Sequence, residues 1–225
     1  MKRFTTLLLA LALVFFLAAC GDTTVVTVTP SSEPEAAESS APVASGGNTL
    51  VVYFSVMETD GVDTVGGASR VNVDGEPLGN LEYVAGLIAD ETGGETFRIE
   101  TVQEYPTTHQ PLLEFAHNEA SDNARPELSS TLDNPGDYDV IFIGYPIWNA
   151  DLPMPLYTFL EDYDFSGATI VPFTVHGGSG LAGTPATIQE LQPGANVVTD
   201  AHSISHNSVT TAPEAVSAWL VGLGL

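Results

Sequence analysis

Asp137-Tyr138-Asp139-Val140-Ile141-Phe142-Ile143-Gly144-Tyr145-Pro146-Ile147-Trp148-Asn149-Ala150-Asp151 is the stretch whose reading decides the fold. In its first half, β-branched and aromatic residues follow one another without polar alternation. That pattern belongs to a parallel strand covered on both faces. The run then stops in a glycine, a proline and an aromatic, so its second half is a loop at the strand's carboxyl end. Ligands of open α/β sheets bind beyond the carboxyl ends of the strands. Tyr145, Pro146, Ile147, Trp148 and Asn149 therefore stand where a flat cofactor would be held.

Working outward, strands and helices alternate. Residues 50–54 read as a first buried strand and 81–90 as a helix with Leu81, Val84, Leu87 and Ile88 on one face. Gly93-Gly94 ends that helix. Residues 96–99 make a short second strand, placed near an edge because it carries Arg98, and 110–121 a helix in a long connection. The central strand, 140–144, leads into a helix over 154–163 introduced by Pro153 and Pro155. A fourth strand over 168–174 contains Pro172, which implies a bulge or local edge. A short helix over 184–191, a fifth strand over 196–199 and a last helix over 213–223 complete the chain. Five strands interleaved with helices predict a parallel sheet with right-handed crossovers, an α/β fold.

Length and charge bound the rest. The 225 residues, 44% of them hydrophobic, suffice for one domain with extensions. Met1-Lys2-Arg3 is a short basic region, 4–19 is apolar, and Leu17-Ala18-Ala19-Cys20-Gly21 places small residues and the single cysteine at its end. This is the pattern of a signal peptide over 1–19. It resembles the lipobox of bacterial lipoproteins, which implies lipidation of Cys20 and a membrane anchor on the extracytoplasmic face. Residues 20–47, rich in Ser, Thr, Pro and Glu, read as a flexible tether, and the domain spans 48–225. Without the signal segment, Arg70, Arg98 and Arg125 are the only basic residues against 29 acidic ones. Such a chain repels nucleic acid and anionic headgroups, and an electrostatically steered protein partner is expected to be basic. With one cysteine, no intrachain disulfide supports the fold.

Four segments then resemble one family. They are the strand ending Tyr53-Phe54-Ser55, the loop Gly144-Tyr145-Pro146-Ile147-Trp148, the stretch from Pro153 to Tyr163 followed by Asp164-Phe165-Ser166-Gly167, and His176-Gly177-Gly178-Ser179-Gly180. Together they are similar to flavodoxins, in particular to flavodoxin-like proteins of anaerobic bacteria. The resemblance implies a five-stranded sheet of order 2-1-3-4-5, FMN bound without a covalent link at the switch point, and electron transfer between partner proteins. A flavin-dependent reductase of a small quinone-like substrate is an alternative. So is a tethered ligand-binding lipoprotein whose FMN site is degraded.

Residue chemistry fits these roles. Trp148 is a large π face on a loop that Pro146 stiffens, with core packing as the other reading. By the resemblance, the loop His176, Gly177, Gly178, Ser179 and Gly180 meets the flavin's pyrimidine end, where glycines let backbone N–H groups approach ring oxygens. His176 is either a flavin contact or a cap of the loop. Flavodoxins hold the phosphate in a compact loop between the first strand and the first helix. Here Ser55 is followed by a long insertion, 56–78, before Gly79-Asn80 opens the helix, and Leu81 stands where the resemblance calls for threonine. Ser55, Gly79 and Asn80 remain as the phosphate ligands, with Thr59, Ser69 and Arg70 nearby in the chain. His202 and His206 lack an evident third ligand for a metal. Around Ser179 the pattern G-x-S-x-G fails at Leu181, against a hydrolase.

Overall fold

The computed structural model describes residues 47–60 and 70–225. The signal peptide, Cys20, the tether and Ser69 lie outside the described residues. Asn48 ties the start of the domain to the central strand: its backbone N–H donates to Asp139 Oδ2 at 3.0 Å and its Nδ2 to Asp137 O at 2.9 Å.

The elements are β1 (Thr49–Tyr53), β2 (Arg70–Val73), β3 (Glu76–Gly79), α1 (Asn80–Thr92), β4 (Glu95–Arg98), α2 (His109–Ser121), β5 (Val140–Pro146), α3 (Met154–Asp162), β6 (Thr169–His176), α4 (Thr184–Leu191), β7 (Asn196–Val197), β8 (His202–Ser205) and α5 (Ala212–Leu223). The main sheet is parallel, in the order β4-β1-β5-β6-β7, with β8 also on β6. In terms of the sequence expectation this is the order 2-1-3-4-5. The strand carrying Arg98 is an edge, paired with β1 alone.

The fifth strand differs from its expected single run over 196–199. It comes in two pieces, Asn196–Val197 and His202–Ser205, which pair successively with β6. Pro172 explains the break. Ile170 O accepts the Val198 N–H at 2.9 Å, so Pro172, two residues on, faces the same neighbour. Having no N–H to donate, it stands opposite the gap.

Alternation along each strand feeds two cores. Leu50, Val52 and Phe54 of the β1 segment face Leu112 and Ala116 of α2, Leu156 and Phe159 of α3 and Ile188 of α4. Val51 and Tyr53 face Leu81, Val84 and Ile88 of α1 and Val216 and Leu220 of α5. The result is three layers, helices on both faces of the sheet. β5 is buried at all seven positions, the burial its unbroken apolar run predicts. Gly144 within it has a packing cause: a Cβ there would come within 2.2 Å of the Phe173 ring.

Part of the insertion is a β-hairpin. β2 and β3 pair antiparallel around Asp74 and Gly75, both with positive φ (53° and 94°). Asp-Gly is the residue pair such a turn requires, a local signal that the sequence reading left unused. The hairpin delivers the chain to Gly79 and so to the start of α1.

Candidate functional site

Because the main strands run parallel, the segments leaving β1, β5 and β6 emerge at one edge of the sheet. At the β1 exit, Ser55 is 7% exposed and its hydroxyl makes no hydrogen bond among the described residues. It lies against the start of α1: a Cβ on Gly79 would meet Ser55 Oγ at 2.3 Å. Only glycine permits this approach. Gly79, the N-cap of α1, is extended (φ −64°, ψ 142°) and brings no side chain to cap the first turn. Asn80 and Leu81 are buried. Ser55, Gly79 and Asn80 are thus together in space although the insertion separates them in sequence.

The β5 exit is a two-residue reversal. Trp148 N–H donates to Asp151 O at 3.1 Å and Asp151 N–H to Trp148 O at 2.9 Å, with Asn149 and Ala150 at φ 52° and 59°. Side chains fasten it on both sides. Asn149 Nδ2 donates to Ala116 O at 3.2 Å, and Tyr157 OH donates to Asp151 Oδ2 at 3.0 Å. The Arg125 guanidinium, bidentate on Glu161 at 2.7 and 2.8 Å, lies 4.8 Å from the centre of the Tyr157 ring.

The expected display of Trp148 as an open ring on this loop is corrected by the structure. Trp148 is 5% exposed and packs inward, 5.5 Å from the Phe54 ring centroid in an edge contact and 5.7 Å from that of Tyr105. Burial of a large aromatic against two others outweighs its exposure at a loop tip. Tyr145, Pro146 and Ile147 are buried as well, and Asn149 is the member of this group at the surface. Tyr145 OH is 2.8 Å from Thr184 Oγ1, which donates to Leu181 O at 2.6 Å. Desolvation pushes the Tyr145 phenol well above its usual range.

At the β6 exit, His176 Nδ1 accepts the Gly178 N–H at 2.9 Å. The imidazole therefore caps the loop from within. Burial first, and then the neighbouring His206, hold its pKa below the ordinary value of 6.5. Gly178 and Gly180 take φ 133° and 60°, and added Cβ atoms there would meet nothing within 4 Å. Gly178 and Ser179 are exposed, Gly177 and Gly180 half-buried.

Several groups at this edge escaped the sequence reading. Glu58, 4% exposed, has Oε1 2.7 Å from His109 Nδ1, and its carbonyl accepts Arg70 Nη1 at 2.9 Å. Asp60 Oδ2 accepts the His109 N–H at 2.9 Å and Thr107 O the Thr59 N–H at 2.6 Å. The β1 exit is thereby fastened to the start of α2 and to the insertion hairpin. Tyr105 donates its hydroxyl to Glu119 at 2.8 to 2.9 Å, and Gln103 Nε2 bonds the same carboxylate. Burial raises the pKa of both Tyr105 and Glu119. No local pattern marks these partners, because each joins segments far apart in the chain.

Between the β1 and β4 exits lies a cleft of about 560 Å³, lined by Ser55, Met57, Arg98, Glu100, Thr107 and others. Of the residues that the sequence offers for the phosphate, Ser55 and Thr59 line it, and Gly79 and Asn80 do not. His202 lies elsewhere, stacked on Trp219 with ring centroids 4.8 Å apart.

The family model described as flavodoxin matches residues 81–221. Among solved structures, a flavoprotein from Bacteroides eggerthii is 26% identical, covering 80% of this chain and 99% of its own, with a TM-score of 0.59. One from Bacteroides uniformis is 27% identical over 76% and 99% of the two chains, with a TM-score of 0.55. A flavoprotein from Lactobacillus acidophilus in complex with FMN is 19% identical, covers 77% and 99%, and has a TM-score of 0.51, a likeness of fold. No curated protein matches the chain. Matched over more than half its length by that model, and built on a parallel sheet of the order described above, this chain belongs to the flavodoxin family.

Proposed function

We propose that this protein is an FMN-binding electron carrier held on the extracytoplasmic face of a bacterial membrane through lipidated Cys20, and that its redox partner is basic. The observation that carries the cofactor reading is the meeting of Ser55 and Gly79. The Ser55 hydroxyl, without a hydrogen-bond partner among the described residues, faces a glycine that as the N-cap has no side chain to offer the helix start. Helix N-termini of this kind favour anions through their unpaired amides and positive dipole end. These residues fit a phosphate group. The FMN complex of the Lactobacillus acidophilus protein and the family match support the same reading.

Bound FMN supplies one- and two-electron transfer, chemistry the side chains lack. The chain's part is to bind and orient. Ser55 donates its hydroxyl, and the backbone at Gly79 and Asn80 faces the phosphate end. The loops Tyr145 to Asn149 and His176 to Gly180 flank the ring end. Phe54, Tyr105 and Trp148 pack ring against ring where the β1 and β5 exits adjoin. His176 shapes its loop by accepting the Gly178 N–H.

A second reading, reduction of a small quinone-like substrate, draws support from the cleft of about 560 Å³ beside Ser55. Absorption of the purified protein and titration with FMN and riboflavin test the first reading. Flavin absorption with tighter binding of FMN is expected. Equal affinity for the two flavins would leave a ligand-binding module with an abandoned phosphate site, and binding of neither would end the reading. Turnover of a quinone with a chemical or enzymatic reductant would favour the second. For the anchor, Cys20→Ser is expected to abolish lipid labelling, and unchanged labelling and membrane association would sink it.

A further inference from the structure

We infer that Arg98 is the cationic partner of an anion held at the start of α1, so that one guanidinium, the Ser55 hydroxyl and the first turn of α1 together select a phosphorylated ligand over its unphosphorylated form. The inference rests on the FMN reading above and adds the residue that would make the site discriminate.

Beyond the signal segment the chain has three cations, and the structure gives two of them other work. Arg125 is bidentate on Glu161 and also donates to the carbonyls of Asn123 and Ala124. Arg70, the arginine closest in sequence to the expected phosphate loop, donates to Glu58 O at 2.9 Å and holds the hairpin to the β1 exit. Arg98 is different. It is exposed, and among the described residues its one hydrogen bond is a long contact from Nη2 to Ser55 O at 3.4 Å. Most of its five donors are left over.

Its position is set by strand register. Arg98 ends the edge strand β4 opposite Tyr53, whose side chain belongs to the face covered by α1. Paired residues in a sheet project to the same face, so Arg98 rises on the α1 side. From there it reaches the carbonyl of the residue whose hydroxyl touches Gly79. Ser55 thus stands between the two, its carbonyl accepting from the guanidinium and its hydroxyl lying against the helix start. Ser55 is 93% removed from solvent in its own right, being 7% exposed, and its hydroxyl has no partner among the described residues. A hydroxyl donor left without a partner among the described residues, beside a helix start whose N-cap is glycine, is what an anion would engage.

Neighbouring charge makes a cation necessary here. Glu82 in the first turn of α1 has Oε2 3.8 Å from the position of a Cβ on Gly79, and Glu82 and Glu100 both act on Tyr53, with Arg98 opposing them. An anion placed beside Glu82 meets repulsion unless a positive group stands opposite. The residue after Asn80 is Leu81, 1% exposed in the core, so the first turn offers no hydroxyl there. Charge-assisted, fork-shaped recognition of phosphate is the chemistry arginine provides.

The test compares FMN and riboflavin affinities of the full-length protein, wild type against Arg98→Gln and Arg98→Lys, at low and at physiological salt. Arg98→Gln is expected to weaken FMN about tenfold, the order of one lost charge-assisted contact, and to leave riboflavin unchanged. Arg98→Lys should restore part of the loss. Salt should shrink the difference in FMN affinity between wild type and Arg98→Gln, because it screens the contact that the variant lacks. An FMN preference unchanged in Arg98→Gln would overturn the inference while leaving the FMN reading intact, as would equal losses for both flavins, which mark a purely structural arginine. If Arg98→Gln does not fold, the Lys variant decides: a partial loss of the preference for FMN over riboflavin is expected, and an unchanged preference counts against the inference. A wild type that binds neither flavin would remove both readings.

Discussion

At the β5 exit the chain reverses between Trp148 and Asp151 through two residues, whereas from the β1 exit it runs through an insertion and a hairpin before α1 begins at Asn80. The two exits adjoin at one sheet edge, and Phe54 of the first touches Trp148 of the second. The tight exit is fixed by neighbours in sequence and by burial of its aromatic. The long exit is fixed by partners from elsewhere: His109 on Glu58, Thr107 on Thr59, Gly79 against Ser55. Closing a longer loop costs little additional entropy, about 0.6 kcal/mol per doubling, so a few such contacts suffice to preserve its geometry. A binding edge can thus keep one wall encoded locally and let the other vary in length.

Substitutions can break this contrast, and the largest effect is expected at the shared aromatic contact. Trp148→Ala should cost about 4 kcal/mol of unfolding free energy, since it removes a buried ring from between Phe54 and Tyr105. Urea unfolding would measure it. A loss below about 1 kcal/mol would mean that the ring is not packed as described, and would favour an exposed ring. Trp148→Phe separates packing from any ligand contact, because it retains most of the burial.

The long exit is tested at its clamp. His109→Ala leaves the buried Glu58 carboxylate without its side-chain partner and should cost about 2 kcal/mol. It should also reduce the preference for FMN over riboflavin, because the segment carrying Ser55 is loosened. Unchanged stability together with unchanged preference would show that the β1 exit is held by other contacts.

At the tight exit, Ala150→Gly should be stabilising, by about 0.5 kcal/mol. Ala150 sits at φ 59°, a conformation that costs a residue with a Cβ and not glycine. Thermal unfolding would detect the gain, and a loss would indicate that the Ala150 methyl makes a contact worth more than the strain.

The smallest effect is expected from pH at the neighbouring β6 exit. Burial lowers the pKa of His176, with His206 adding to the effect, and burial lowers that of His202, both from an ordinary 6.5. The folded state therefore favours the neutral rings. Their contribution to stability is complete above 6.5, the unfolded value, and is lost as pH falls below it through the folded values. The melting temperature should decline over that window, less steeply in His176→Gln. A decline of the same slope in that variant would assign the pH dependence to other groups.

What the residues determined by themselves is the layered α/β architecture and the edge at which a ligand would bind. Apolar periodicity reports which faces are buried, and a short unbroken run such as 140–144, β-branched and aromatic and ended by Gly144 and Pro146, reads as a strand covered on both sides. The helix start at Gly79-Asn80 and the helix end at Gly93 were legible for the same reason, being marked by residues whose backbone preferences act locally. Tertiary structure decided the rest. The fifth strand divides because Pro172 on a neighbouring strand has no N–H to give it, and Trp148 turns inward because Phe54 and Tyr105 offer more burial than the loop tip. Glu58 meets His109 across 51 residues of chain, and Arg98 reaches Ser55 across 43. Pairings at such separations leave no period or motif in the sequence, since they depend on which strands lie side by side and not on which residues follow one another.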